Sequence, residues 1–508
     1  RRAPHFVQYV IESLDSQLGA GYTRRAGLSL ITTLDLPMQE MAQTLVQNKV
    51  AELRPEFDMN NGALVALSPA GAEILTMVGS ADFNDATIDG QVNVATSLRQ
   101  PGSAIKPILF AAALENGIIS PASIMWDTPV AYELPTGEVY TPHNYDRTLH
   151  GPVTVRHALA NSYNIPAVKL LDRVGVSQLL EFARDLGLRS LDREAGWYGL
   201  SLAVGGGEVR LLDLTAAFQP FANGGQQLAP RYLLSMTNNR GQQMLETPQP
   251  DPPVITPATA FLITDILSDN TARSPAFGVN SPLVLSRPAA VKTGTTDDWR
   301  DNLTVGYTRH LVAGVWVGNT DGSPTRLSTG ITGAAPIWQA FMEAVLADPA
   351  RLARLGAPPV DDDAGWVFAP PPDVTTIAGG EGCPPHVICR EQAEFFSQAW
   401  LAQWGDQGPL ADSVIVCNSG ENNNRDNPQM RALLLPGAQR LPPAADANPG
   451  ATPSPAATVT APVTVPVTEV TLADQRQAEQ DEARRWSEAN RIAVSLGDCA
   501  AGLQLAQP

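Results

Sequence analysis

Lysine is nearly absent from this 508-residue chain: Lys49, Lys106, Lys169 and Lys292 are the only four, and the rest of its 34 cations are arginine. Arginine stays protonated in a protein, whereas a buried lysine can give up its proton. The few places that keep lysine therefore draw attention, Lys106 and Lys292 above all. Basic stretches are missing too. A formal charge of −18 without a basic stripe speaks against a nucleic-acid partner. No run approaches the roughly 18 apolar residues that span a bilayer, and no signal peptide is present. The chain opens on Arg1 rather than Met and is read as a fragment or processed product, so a missing anchor says little about its parent.

Cysteine is absent from the first three quarters. Cys383, Cys389, Cys417 and Cys499 form an even set, which suits disulfides in an oxidising compartment with three connectivities open. Cys-x5-Cys with His386 inside it is not a usual zinc spacing, so disulfides are favoured over metal, with free thiols as the remaining alternative. Six histidines contain no His-x-x-x-His pair, and the chain has no Gly-x-Ser-x-Gly elbow. His143, His150 and His157 recur every seven residues, yet read as surface or helix-packing groups rather than ligands. The run GGGEV at 205–209 lacks the Gly-Lys-Ser/Thr of a phosphate loop and reads as a turn leading into a helix. No metal or cofactor is expected.

What is present is a core: 44% of residues are hydrophobic. Residues 1–60 carry helical apolar spacing around a short strand-like ITTL. Residues 61–350 form the main domain. A hairpin, GALVALS and ILTMVGS, opens it; helices are predicted at 103–116, 153–161, 165–174 and 176–186. Three more strands, AAVKTG, NLTVGYT and LVAGVWVGN, come late, and a helix at 334–346 closes the domain. Strands at both ends with helices between them predict an α+β fold, with a mixed central sheet flanked by helices. After it come a Pro-rich connector (351–379), a small cysteine-bearing module (380–435), a Pro/Ala/Thr low-complexity linker (436–470) and a charged helix and tail (471–508).

Three short patterns carry chemistry. In RQPGSAIKPILF, Ser103 and Lys106 stand at i,i+3 where a helix is predicted to start, on one face and near its positive end. A serine hydroxyl needs a base to become a nucleophile. Alone, the pair reads better as a capping serine and a snorkelling lysine than as a catalytic pair. In ANSYNIPAV, Ser162 and Asn164 lie between two helices and could relay a proton and hold a carbonyl, or simply cap. In VKTGTT, Lys292, Thr293 and Thr295 line a strand end, with Gly294 permitting close backbone approach.

Ser-x-x-Lys, Ser-x-Asn and Lys-Thr-Gly in that order, on a helix, a loop and a strand, resemble the motif set of penicillin-binding proteins and class A β-lactamases. The surroundings are similar to bifunctional (class A) penicillin-binding proteins in particular, through DTPVAYELPTGEVYTPHNYDRTLHGPVTVRHALANSYNIPAV, SLAVGGGEVRLLDLTAAFQPFANGG and DNLTVGYTRHLVAGVWVGNTD. APHFVQYVIESL and ITTLDLPMQEMAQ resemble that family's exit from its glycosyltransferase domain, which implies that residues 1–60 are the linker or pedestal following a domain expected to be missing from this chain. The likeness covers about residues 4–345.

The resemblance implies a penicillin-binding, serine β-lactamase-like transpeptidase fold with a mixed central antiparallel sheet flanked by helices; the C-terminal extension, outside the likeness, is expected to be partly disordered from its composition. It implies a serine D,D-transpeptidase acting on peptidoglycan stem peptides, with β-lactams as covalent inhibitors. Ser103 would be the nucleophile, Lys106 its base and Ser162 the proton shuttle. Asn164 would hold the donor amide, and Lys292 would tune the electrostatics. Thr293 and Thr295, around Gly294, would bind the terminal carboxylate, and the N–H groups of Ser103 and Thr295 would form the oxyanion hole. The site would face the extracytoplasmic side of a bacterial membrane, with the parent anchored upstream. A D,D-carboxypeptidase or a β-lactam-acylated sensor are the alternatives. No Glu-x-x-Leu-Asn segment lies between Asn164 and Lys292, which argues against a β-lactamase.

Overall fold

The computed structural model describes residues 2–404 apart from 135–136, 138, 246–251, 360–361, 379–382, 385–386 and 391–392. The low-complexity linker, the C-terminal helix, His386, Cys417 and Cys499 lie outside the described residues. Two units are distinguished, one of Arg1–Met125 with Val153–Val416, the other of Trp126–Pro152 with Cys417–Pro508.

The first unit is built on five antiparallel strands: β1 (Asn61–Leu67), β2 (Ile74–Val78), β3 (Ala290–Thr295), β4 (Asp301–Tyr307) and β5 (Val312–Gly318), in the spatial order β3-β4-β5-β1-β2. The hairpin and the three late strands of the sequence reading all appear, and every pairing between them is antiparallel. β1, β4 and β5 are buried along their whole length. Both faces of the sheet are covered, which is why these strands read as near-continuous apolar runs rather than alternating ones.

Eight helices concern the site and its support: α1 (Pro4–Leu18), α2 (Leu36–Phe57), α3 (Lys106–Glu115), α4 (Val155–Ala160), α5 (Asn164–Val174), α6 (Leu211–Ala217), α7 (Pro257–Ser268) and α8 (Ala334–Leu346). α2 is capped by Asp35, whose side chain accepts from Met38 N, with Pro37 inside its first turn. It joins α8 on one face of the sheet, where Val46, Val50, Trp338 and Phe341 meet Leu64, Val315 and Val317. α3 is different. Lys106 through Leu114 are all buried, so it is a core helix, apolar all round except for its first and last residues. A lysine opening such a helix has no solvent to reach.

The helix predicted from 103 begins at Lys106; Gly102–Ile105 form a 3-10 turn instead. Of the strand-like ITTL, Ile31 and Thr32 end a strand over Ser29–Thr32, paired with Leu233–Thr237. Beyond α8, β6 (Val374–Ala378) pairs with β7 (Ala393–Ser397) across position 379, where the sequence reading placed a boundary. Cys383 and Cys389 are disulfide-bonded, one of the open connectivities.

In the second unit, the buried carboxylate of Asp127 accepts from Asn144 Nδ2 at 2.8 and 2.7 Å and from the backbone N–H of His150 at 3.0 Å. His150 Nδ1 lies against the same carboxylate, and the neighbouring acids Asp127 and Asp146 raise its pKa in spite of burial. Among the described residues, no group of three or more His, Cys, Asp or Glu side chains is arranged to hold a metal ion.

Candidate active site

The site begins with backbone. Gly102 has φ +53°, and a Cβ on it would sit 2.4 Å from Thr295 O and 2.9 Å from Thr295 N. Gly205, at φ +94°, presses on Gly102 from the other side, where a Cβ would lie 2.4 Å from Gly102 N. Both positions require glycine for conformation and for space. A Cβ on Gly294 would in turn meet Pro101 O at 2.3 Å. The turn that carries Ser103 is thereby laid directly on β3, an edge strand with β4 as its sheet neighbour. Ser103 is half-buried at the head of α3, whose positive end points at it.

Lys106 reaches toward the loop between α4 and α5. Its Nζ donates to Ser162 O at 2.6 Å, Asn164 Oδ1 at 2.6 Å and Tyr163 O at 3.1 Å, with Ser162 Oγ at 3.4 Å. Three strong acceptors match the three donors of an ammonium.

That loop has its shape from the end of α4. Asn161 caps the helix, Ser162 follows at φ +64°, and the N–H groups of Ser162 and Tyr163 close onto Leu159 O and Ala158 O at 3.1 and 3.0 Å. This is a Schellman closure, in which the left-handed residue is usually glycine. A serine there costs roughly 1 kcal/mol of backbone strain. The strain falls on the residue whose hydroxyl accepts from Lys292. Ser162 takes part in the helix closure through its backbone N–H.

β3 supplies the other side. Lys292 is 3% exposed, and its Nζ donates to Ser162 Oγ at 2.8 Å and to Thr293 O at 2.9 Å. Burial lowers its pKa to about 7, since desolvation penalises the charged form. Ser162 Oγ thus stands between the two lysines singled out by scarcity. Lys49, by contrast, makes an exposed pair with Glu52 at 2.7 Å. The pleat turns Thr293 and Thr295 to the strand face opposite Lys292, in register with Thr304 and Asn302. Thr295 is half-buried, and its Oγ1 accepts from Gly330 N at 3.0 Å.

Two contributors were missed in the sequence. Gly205 was read as part of an ordinary turn, although three consecutive glycines already suggest close backbone approach. Asp301, buried at the start of β4, accepts from Trp316 Nε1 at 2.7 Å and closes the loop after Thr295 through Thr296 Oγ1, which accepts from Asp301 N at 2.9 Å. Burial raises its pKa. No local pattern marks it.

Residues 62–339 match the penicillin binding protein transpeptidase domain. Penicillin-binding protein 1C of Escherichia coli (strain K12) is 31% identical over 325 residues, covering 64% of this chain and 39% of the relative. Penicillin-binding protein 1A of Aquifex aeolicus is 36% identical over 300 residues, covering 58% of this chain and 39% of the relative. The chain therefore spans about two fifths of the length of these relatives. Among solved structures, penicillin-binding protein 1A from Haemophilus influenzae aligns with a TM-score of 0.63 at 20% identity, covering 78% of this chain and 76% of that one. PonA1 from Mycobacterium tuberculosis, in complex with penicillin V, aligns with a TM-score of 0.58 at 22% identity, covering 73% and 99%. At such identities the structural likeness is one of fold.

Proposed function

Given that the chain belongs to the penicillin-binding protein transpeptidase family, we propose that it is a serine D,D-transpeptidase cross-linking peptidoglycan stem peptides through an acyl-enzyme on Ser103. One observation carries the reading: Lys106 and Lys292, from segments nearly two hundred positions apart, both close on Ser162 beside a turn that glycine contacts hold against Thr295.

Ser103 Oγ attacks the carbonyl carbon of the penultimate D-alanine and its proton passes to Lys106 as base. For that, Lys106 must first release one of its donors, and Ser162 Oγ, shared with Lys292, lies on the path. The N–H groups of Ser103 and Thr295 take the developing oxyanion, helped by the head of α3. Collapse breaks the C–N bond, and the proton travels from Lys106 through Ser162 to the departing D-alanine amine. An amine of a neighbouring stem peptide then attacks the ester, gives up its proton along the same path and frees Ser103. Asn164 Oδ1 accepts from Lys106, which fixes the amide so that Nδ2 is the end offered to a donor-peptide carbonyl. Thr293 and Thr295, on one face of β3, receive the terminal carboxylate, while Lys292, on the other, tunes the electrostatics at Ser162.

β-Lactams acylate the same oxygen. No cofactor enters these steps. The proposed setting is the extracytoplasmic face of a bacterial membrane, with the anchor in the parent upstream; among the described residues no helix is long and apolar enough to cross a membrane. Incubation with a fluorescent penicillin tests the shared chemistry: wild type is expected to label and Ser103→Ala not to. Unlabelled wild type, or labelled Ser103→Ala, overturns the acyl-enzyme. Nascent peptidoglycan then separates the outcomes. Cross-linked product supports the transpeptidase, released D-alanine without cross-links marks a carboxypeptidase, and a persistent adduct without turnover marks a sensor.

A further inference from the structure

Behind Ser162 lies a buried cluster of charge. Arg156, on α4, is 1% exposed, and its guanidinium meets Asp265 at 2.5 Å, Glu394 at 2.6 Å and Asp269 at 3.3 Å. A second guanidinium, Arg390, meets Asp265 and Asp269 at 3.3 Å and Glu394 at 3.6 Å. Asp265 lies on α7 and Asp269 caps its end. Glu394, itself 1% exposed, lies on β7. Two of the five charged groups therefore come from the segment beyond α8, outside the matched domain.

That segment is firmly seated. Ile388 N donates to Ala122 O at 3.0 Å, and Trp404 Nε1 donates to Gly117 O at 2.9 Å. Phe396 and Trp400 pack on Ala122 together with the two bonded cysteines, and Phe395 meets Phe261 of α7 edge to face. A buried guanidinium needs its carboxylates, because removing one partner leaves charge uncompensated. Arg156 stands six positions before Ser162 on a helix whose closing turn ends at that serine. Asn161 extends the attachment, donating to Ala272 O at 2.8 Å and accepting from Ala276 N at 3.0 Å.

We infer that Glu394 is a positioning residue for acyl transfer: through Arg156 and α4 it holds the Ser162 loop in register with Lys106 and Lys292. The segment from β6 to Trp404 is then a buttress of the site. This rests on the acyl-transfer reading above.

The test is the acylation of the full chain by a fluorescent penicillin, followed against concentration and pH in wild type, Glu394→Gln and Glu394→Asp, with thermal melting of each. Glu394→Gln is expected to lower the maximal acylation rate about 10- to 100-fold, as loss of sub-ångström placement does. The half-saturating concentration should stay unchanged, and the pH profile should shift, because the Lys292–Ser162 bond is loosened. Glu394→Asp should recover part of the rate. Wild-type rate and pH profile in Glu394→Gln would overturn the inference, as would a loss that only tracks the folded fraction. If Glu394→Gln does not fold, Arg390→Gln, on the more exposed side of the cluster, is judged by the same criteria. Wild type that fails to label removes the acyl-transfer reading, and this inference with it; labelled wild type with an indifferent Glu394→Gln removes the inference alone.

Discussion

The two sides of the Ser162 loop are held by different physics. Toward the proposed substrate, Gly102, Gly205 and Gly294 stack backbone on backbone, and two buried lysines end on hydroxyl, carbonyl and amide oxygens. Behind the loop, Arg156 and Arg390 share the three carboxylates of Asp265, Asp269 and Glu394. Close backbone contact fixes position through repulsion, which rises steeply over tenths of an ångström. Buried charge fixes it through the cost of losing a partner. The first kind leaves a trace in sequence as glycine and motif; the second leaves scattered acids and arginines that look like any surface.

The largest expected effect breaks the front side chemically. Lys106→Arg keeps a cation but removes the deprotonatable amine, so acylation by penicillin should fall about 10³-fold or more, the range of a lost general base. Near-normal acylation would show that another group takes the Ser103 proton. Next comes Gly205→Ala, which puts a methyl group into Gly102 at a left-handed φ. Acylation should drop roughly 100-fold, as for a misplaced nucleophile; an unchanged rate would mean that the turn tolerates displacement.

A smaller effect is electrostatic. Because burial holds Lys292 near a pKa of about 7, its charge is lost as pH rises through that value. Affinity for an anionic β-lactam should weaken about tenfold or less across that window and be greatest below it. Half-saturating concentrations that stay flat from about one unit below to one unit above would separate Lys292 from carboxylate binding. The smallest effect sharpens the contrast from behind. Cys383→Ser with Cys389→Ser opens only a short loop, worth roughly 2 kcal/mol by loop entropy. A lower melting temperature with an acylation rate close to wild type is expected; a large rate loss would place the disulfide, and not the ion cluster, at the centre of the buttress.

Much of the front was legible. The five strands and the helices near 155–174 announced themselves through β-branched runs and apolar spacing, signals that local chain geometry enforces. The start of α3 was misjudged by one turn, because Gly102–Ile105 owe their 3-10 form to contact with Thr295 and Gly205, far away in sequence. Lys106 was read from its motif as the neighbour of Ser103; its bonds to Ser162, Tyr163 and Asn164, more than fifty positions away, are announced by no local spacing. Asp301, Arg156 and Glu394 left no signal, since an isolated acid or arginine has no periodicity and takes its meaning from what packs around it.

Sequence by itself therefore determined which residue types were available for chemistry: four lysines, a Ser-x-x-Lys, a Ser-x-Asn and a Lys-Thr-Gly, each on an element that local propensity could assign. Tertiary structure alone decided that Lys106 and Lys292 meet at one hydroxyl, that Ser162 takes a left-handed turn to offer it, and that a glutamate near the end of the described chain backs that turn. The reason is physical. Propensity and periodicity act over a few residues, whereas burial, desolvation and close packing depend on partners that only the folded chain brings together.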